Sequence, residues 1–229
     1  MKIAALQKFS LIDYPGKLSA VIFVRGCNFK CHYCHNPELV LPELYGELYP
    51  LQQVFQFFEK RKKQLDGIVI TGGEPTLQDD LEDFIKKTKE FGYLVKLDTN
   101  GSQPQVLERL FRVNLIDFIS MDIKAPFEKY EMVCGIKPNL ENIQKSIELI
   151  KDSGIEHIFR TTVVKRYLDY SDLIEIKILV GENQKYVLQN FNKTGKILND
   201  NLRDAEQYTD LEITNFQKHI INEKIISHI

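Results

Sequence analysis

Cysteine is scarce in this chain, four residues in 229, and three of the four fall between positions 27 and 34. A disulfide framework needs cysteines paired along the chain, so it is excluded here; in a reducing compartment a tight cluster points to a metal or catalytic site. Long apolar runs are missing, since no stretch approaches the roughly 20 residues that a bilayer-crossing helix requires. The opening segment MKIAALQKFSLIDYPGK has neither an apolar h-region nor a small-residue cleavage site, and a cytoplasmic protein is the expectation. Charge of one sign is missing too. Lys and Arg number 30 against 32 Asp and Glu, which leaves no electrostatic basis for a nucleic-acid or membrane-surface partner. Repeats, low-complexity tracts and Gly/Ser linkers are absent, so one large domain is the simpler expectation.

What is present is an ordinary globular composition, 43% hydrophobic and 27% charged, on a chain long enough to bury a sizeable core. Short runs rich in Val, Ile and Phe recur as SAVIFV (19–24), DGIVIT (66–71), YLVKLD (93–98), DFISMD (117–122), HIFRTTVV (157–164) and KYVLQNF (185–191). Helical spacing separates them in LQQVFQFFEKRKKQL (51–65), LEDFIKKTKEF, QVLERLF and LENIQKSIELIKDSG, the last ending at Gly154, a C-cap residue type. Strands alternating with helices predict a parallel sheet covered on its outer face. Six strands fall short of the eightfold barrel, which takes about 250 residues. The expected fold is therefore α/β, an incomplete (β/α)6 parallel barrel over residues 1–191, with a flat doubly wound sheet as the alternative. Residues 192–229 read as a C-terminal helical extension packed on the same domain: a loop, NKTGKILNDN, then an amphipathic helix within YTDLEITNFQKHIINEKIISHI.

Ligands of parallel α/β domains gather at the carboxyl ends of the strands, and the unusual residues fall there. Cys27 follows the first run, Gly72, Gly73 and Glu74 the second, Asp98, Thr99, Asn100 and Gly101 the third, and Met121, Asp122 and Lys124 the fourth. Arg160 lies within the fifth run and Gln189 near the end of the sixth. Three of four cysteines at one fixed spacing arise by chance roughly once in a thousand such chains. Closely spaced thiolates favour zinc or an iron–sulfur cluster. Cys27, Cys31 and Cys34 closed by His32 or His35 would make a structural zinc site, whereas a cubane on three cysteines leaves one iron open to a small molecule.

The spacing CxxxCxxC with an aromatic before the third cysteine (Cys27, Cys31, Tyr33, Cys34), followed by TGGEP at 71–75, resembles the signature of radical S-adenosylmethionine (SAM) enzymes. LIDYPGK (11–17), CHNPEL (34–39), LDTNGS (97–102), MDIKAP (121–126) and LQNF (188–191) are further similar to the activating enzymes of glycyl radical enzymes, most of all those of anaerobic ribonucleoside-triphosphate reductase. The resemblance runs from about residue 2 to 191. It implies a [4Fe-4S] cluster on Cys27, Cys31 and Cys34 whose open iron chelates S-adenosylmethionine, and cleavage to a 5′-deoxyadenosyl radical that takes hydrogen from a glycine of a partner enzyme. A flavodoxin or ferredoxin would supply the electron.

The resemblance also assigns residues. Gly72 and Gly73 would let backbone approach the methionine moiety and Glu74 would accept from its amino group; Tyr33 would lie against the adenine. Asp98, Thr99, Met121 and Asp122 resemble a group that surrounds a monovalent cation. Lys124 and Arg160 would meet a carboxylate, Asn100 and Gln189 would contact the cofactor, and Asp13 would take a substrate-side role. His32 and His35 would flank the cluster. Cys134 stands alone in EMVCGIK and reads as a free core thiol. A small-metabolite enzyme similar to 7-carboxy-7-deazaguanine synthase and a non-enzymatic zinc module are the competing readings.

Overall fold

The computed structural model describes residues 1–222 and contains a strand that periodicity does not reveal. β1 (Ile3–Ser10) runs antiparallel to β2 (Ser19–Val24). It is an edge strand, mostly exposed, with register shifts between Ile3 and Ala5 and between Gln7 and Ser10, so no clean two-residue alternation survives in IAALQKFS. The six expected runs become β2, β3 (Gly67–Gly72), β4 (Leu94–Thr99), β5 (Phe118–Asp122), β6 (Glu156–Val163) and β7 (Tyr186–Asn190). From β3 onward each strand is parallel to the one before.

The spatial order is β1-β2-β3-β4-β5-β6-β7. A doubly wound sheet reverses its strand order at a switch point; this one never does, so every crossover turns the same way and the helices share one face. Those helices are α1 (Pro37–Val40), α2 (Leu51–Arg61), α3 (Leu81–Glu90), α4 (Pro104–Arg112), α5 (Tyr130–Cys134), α6 (Leu140–Asp152), α7 (Tyr170–Val180) and α8 (Asp210–Asn222). β1 and β7 do not pair, and the partial barrel keeps an open side. α2 stops at Arg61, short of its expected end, and Lys63 two residues on takes φ +70°. α7 shows no amphipathic stripe, because YSDLIEIKILV is apolar nearly all round; its start is fixed by a capping box between Asp169 and Asp172.

Alternation along the strands sorts the two faces of the sheet. Ile22, Ile68, Ile70, Leu97, Ile119 and Phe159 pack outward against Val54, Phe58, Leu107, Ile147 and Ile176 of the helices. On the inner face, Val21, Val69 and Phe118 gather round Tyr14 as a second, smaller core. Tyr14 comes from the β1–β2 hairpin, its ring 5.7 Å from that of Phe118, and it fills the space beside Gly67, where a Cβ would come within 2.9 Å of the ring. This apolar floor closes the amino ends of the strands.

The chain after β7 returns to the body. Leu198 N–H donates to Cys34 O at 2.9 Å and Asn199 N–H to His32 O at 3.0 Å. Gln217 of α8 accepts from Leu188 N–H and donates to Tyr186 O. The end of the expected terminal helix, past residue 222, lies outside the described residues. Among the described residues no helix is long and apolar enough to cross a membrane.

Phe58 is buried among Phe55, Phe84, Phe91 and Tyr93, whose hydroxyl donates to Phe58 O. Phe58→Ala should lower folding stability by about 3–5 kcal/mol, measured as a shift in the denaturant midpoint at unchanged slope.

Candidate functional site

The cysteine loop leaves the carboxyl end of β2 and is held by backbone. Gly26 (φ +104°) donates its N–H to Leu39 O, and its carbonyl accepts from Glu74 N–H at 2.7 Å. Across that contact a Cβ on Gly73 would lie 2.0 Å from Gly26 O, and one on Gly72 (φ +114°) 2.5 Å from Val24 N. Both glycines are thus required by the packing of one loop on another, and both also line the cavity at this end of the barrel.

That cavity measures about 240 Å³ and is walled by Cys27, Cys31, Tyr33, Cys34, Glu74, Asp98, Thr99, Asn100, Asp122 and Lys124, all expected from sequence. His35 and Thr162 also border it. Several expected residues, His32 among them, are not in its wall. Arg160 lies behind it, bonded to Asp122. The Met121 side chain points into the outer core, touching Gly101. Gln189 is exposed on β7, in register with Thr162. Asp13 sits in the hairpin at the amino ends of the strands, accepting from Ser10 Oγ at 2.5 Å.

Glu74 is 1% exposed. It accepts from Thr76 N–H (3.0 Å) and the hydroxyls of Thr76 (2.5 Å) and Thr99 (2.8 Å) through Oε1, and from Asn100 N–H (2.7 Å) through Oε2. Burial raises its pKa despite these donors. Its acceptors tie the β3 and β4 loops together, so in this geometry it braces the site. Asn100 donates to Asn28 Oδ1 at 3.0 Å, and its amide lies 4.0 Å from the Cys27 sulfur.

Burial pushes the Cys27 thiol up to about 12, with Glu74 adding to the effect, and raises Cys34 as well. Cys31 is brought down to about 7, first by a hydrogen bond from Cys134 and then by Lys124. Cys134 is therefore a neighbour of the cysteine loop, and its carbonyl also accepts from Lys30 N–H at 2.9 Å. Sequence gave no signal for this contact. The histidines are engaged elsewhere: His32 stacks on Tyr167 at 6.0 Å, while His35 stacks on Phe191 at 5.5 Å and hydrogen-bonds to Asn192 O. Among the described residues no three His, Cys, Asp or Glu side chains converge on a single metal ion. A closed zinc site needs four ligands within about 2.3 Å of one ion. With His32 and His35 engaged elsewhere, three sulfurs lining one cavity instead suit a cubane with one free corner, and cysteine thiols ionise on binding metal.

Behind the cavity the inner face carries a ladder of ions. Lys96 pairs with Asp98 Oδ1, Arg160 reaches Asp98 Oδ2 at 3.4 Å and Asp122 Oδ1 at 2.7 Å, and Lys124 reaches Asp122 Oδ2 at 3.0 Å. Burial acts to raise the Asp122 pKa, but Arg160 and Lys124 outweigh it and hold the carboxyl well below the usual range. Lys124 stays charged through Asp122, and its ammonium is 5.9 Å from the centre of the Tyr33 ring. The Tyr33 hydroxyl is buried with no hydrogen-bond partner among the described residues. Of the quartet expected round a cation, each carboxylate oxygen of Asp98 and Asp122 already faces a protein cation, and the Thr99 hydroxyl donates to Glu74 and accepts from Gly101 N–H; the expected contribution of Met121 is its carbonyl, which the direction of its side chain leaves untouched. Lys96 was not among the expected site residues; its signal is a lysine in an apolar strand, two positions before Asp98 and hence on the same face.

A family model described as the Radical SAM superfamily matches residues 21–179, from β2 into α7. The chain belongs to the radical SAM superfamily. A Methanocaldococcus jannaschii protein named a glycyl-radical enzyme activating enzyme is 38% identical over 194 residues, 82% of this chain and 79% of that one. The 7-carboxy-7-deazaguanine synthase of Methanothermobacter thermautotrophicus is 37% identical over 130 residues, 54% of this chain and 50% of that one. Streptococcus suis SuiB, solved with S-adenosylmethionine, shares the fold at a TM-score of 0.66 and 17% identity over 85% of this chain, and this chain spans only 44% of it. Membership implies a [4Fe-4S] cluster and S-adenosylmethionine, and the radical SAM cavity has the thiols, the side-chain-free wall and the positive charge to hold them.

Replacing Asp122 by Asn leaves Arg160 and Lys124 without their shared anion and should cost about 3 kcal/mol at pH 7. Since the folded carboxyl titrates below its unfolded value, this stabilisation is present above the ordinary carboxylate range and is lost as pH falls. The gap between wild type and variant in thermal unfolding should narrow below about pH 4.

Proposed function

We propose that this radical SAM enzyme activates a glycyl radical enzyme, removing a hydrogen atom from a backbone glycine of its partner, with anaerobic ribonucleoside-triphosphate reductase the favoured partner. The observation that carries the reading is the open side of the sheet between β1 and β7, which would admit a loop of another protein where a closed barrel admits a small ligand. The match over 82% of the chain to a glycyl-radical enzyme activating enzyme supports it.

When bound, the cluster and S-adenosylmethionine supply one-electron cleavage of the S–C5′ bond. The chain supplies position and charge. Cys27, Cys31 and Cys34 would hold the cluster through their thiolates. Lys124 has donors left beyond its bond to Asp122 for an incoming carboxylate, and Arg160 fixes Asp122 so that Lys124 points to the cavity. The Tyr33 ring offers a face to the adenine. Gln189, exposed on β7 and outside the cavity wall, would reach the ribose or base only from the rim, and Asp13, in the hairpin at the amino ends of the strands, would take a substrate-side role only if the partner extends to that end. A flavodoxin or ferredoxin in the cytoplasm would deliver the electron, and the near-zero net charge favours a protein partner over a polyanion.

The partial match to 7-carboxy-7-deazaguanine synthase favours a second reading, turnover of a free small substrate, but spans 54% of the chain. Incubation with the anaerobic reductase, S-adenosylmethionine and a low-potential reductant should give an electron paramagnetic resonance doublet with glycine-type splitting. Its absence, with formation of 7-carboxy-7-deazaguanine in its place, would establish the second reading.

Anaerobic reconstitution should yield a brown, oxygen-labile protein. Cys31→Ala should lose the colour and all cleavage of S-adenosylmethionine, read by the visible spectrum and by 5′-deoxyadenosine release. Cys134→Ala should keep both, since its sulfur is no ligand.

A further inference from the structure

Lys96 is 2% exposed and set in β4 between Val95 and Leu97, which point into the outer core. Its own side chain points the other way, into the barrel, and its ammonium is paired with Asp98. A lone ammonium in such a place would be strongly disfavoured, so the side chain is held there by Asp98. The four oxygens of Asp98 and Asp122 are each taken by a protein cation, Lys96, Arg160 twice, and Lys124. With three positive and two negative side chains the ladder has a net charge of +1, so a free metal cation approaching these carboxylates would be repelled on balance and would have to compete with a protein cation at every oxygen. An ammonium has the charge and about the size of a potassium ion, and both are held by hard oxygens.

We propose that Lys96 is a built-in counter-cation for Asp98, taking the place of a free monovalent metal ion, so that this chain seats S-adenosylmethionine without potassium or sodium. Lys96 acts as a positioning residue. It fixes Asp98 from below, Asp98 precedes Thr99 and Asn100 of the cavity wall, and those two hold Glu74. If the ammonium is removed, Arg160 becomes the sole cation for Asp98 and is drawn away from Asp122. The inference rests on the radical SAM reading of the cavity for its cofactor, though not for its cation chemistry.

The test compares potassium chloride with tetramethylammonium chloride at equal ionic strength. In wild type, the S-adenosylmethionine dissociation constant of the reconstituted protein should agree within about twofold between the salts, and the unfolding midpoint of the cluster-free chain within about 1 °C. Lys96→Met should bind S-adenosylmethionine about tenfold more weakly in tetramethylammonium and recover to within about threefold in potassium, and its midpoint should rise by about 4 °C or more with potassium. A wild type that loses about fivefold or more of its affinity without potassium, or a folded Lys96→Met indifferent to potassium in both readouts, would overturn the proposal. If Lys96→Met does not fold, Lys96→Arg keeps the charge and should remain indifferent to potassium; potassium dependence in that variant would equally overturn it. Failure of every form to bind S-adenosylmethionine would overturn the reading of the cavity, and the unfolding midpoints would still decide the role of Lys96.

Discussion

The contact between Gly26 and the Gly73–Glu74 segment fixes the site. Two loops from adjacent strands meet backbone to backbone, at a distance no side chain would permit, and Gly26 O receives Glu74 N–H across the junction. From there the Glu74 carboxylate reaches Asn100 N–H and the Thr99 hydroxyl, so the loops after β2, β3 and β4 move as one body. The tail adds a further clamp: Leu198 and Asn199 donate to the carbonyls of Cys34 and His32, and Phe191 packs on His35 and Tyr33. A cysteine loop without helix or strand of its own is thereby made rigid enough to present three thiols to one cavity, and a rigid frame of this kind is what precise placement of a cofactor requires.

The interior of the barrel is layered, and the layers have a physical logic. At the amino ends, Tyr14, Val21, Val69 and Phe118 exclude water. One level up the inner positions turn ionic, and every carboxylate there is satisfied by a side chain of the chain itself. Breaking such a pair is costly because the remaining charge stays buried, so the ladder holds its geometry whether or not a ligand is present. Its excess positive charge faces the cavity through Lys124, where an anionic group of a ligand would complete the neutralisation.

Six of the seven strands and the cavity's main wall were legible in the sequence, because both follow from strong local rules: continuous apolar runs mark buried parallel strands, and the carboxyl ends of those strands collect the unusual residues. What escaped lies where those rules lapse. β1 is an exposed, bulged edge whose side chains face no consistent environment. α7 is apolar on most sides, so its period is hidden and only its capping box marks it. Lys96 carries no clear signal of its own because lysine is usually solvated, and its burial is understandable only with Asp98 two positions along β4 and Arg160 brought in from β6. Cys134, 103 positions from its neighbour Cys31 in the sequence, joins the cysteine loop through tertiary packing that no spacing rule encodes. Glu74 was legible as a site residue, yet its saturation by four internal donors depends on the β4 loop and could not be read locally.

Access to the cavity follows from the same layering. Helices cover the outer face of the sheet, and the Tyr14 floor closes the amino ends of the strands, so approach is confined to the carboxyl-end mouth and the gap between β1 and β7. The tail binds the cysteine loop at that mouth through two backbone hydrogen bonds, which favours the lateral gap for anything as large as a polypeptide loop. On the proposed activity this separates the two reactants: the cofactor is gripped from the strand ends by fixed loops, while the glycine arrives along the open edge. The tail serves the cofactor side as a strap on the cysteine loop, and through Gln217 of α8 it also lines the β7 lip of the gap, where it would form part of the surface a partner meets.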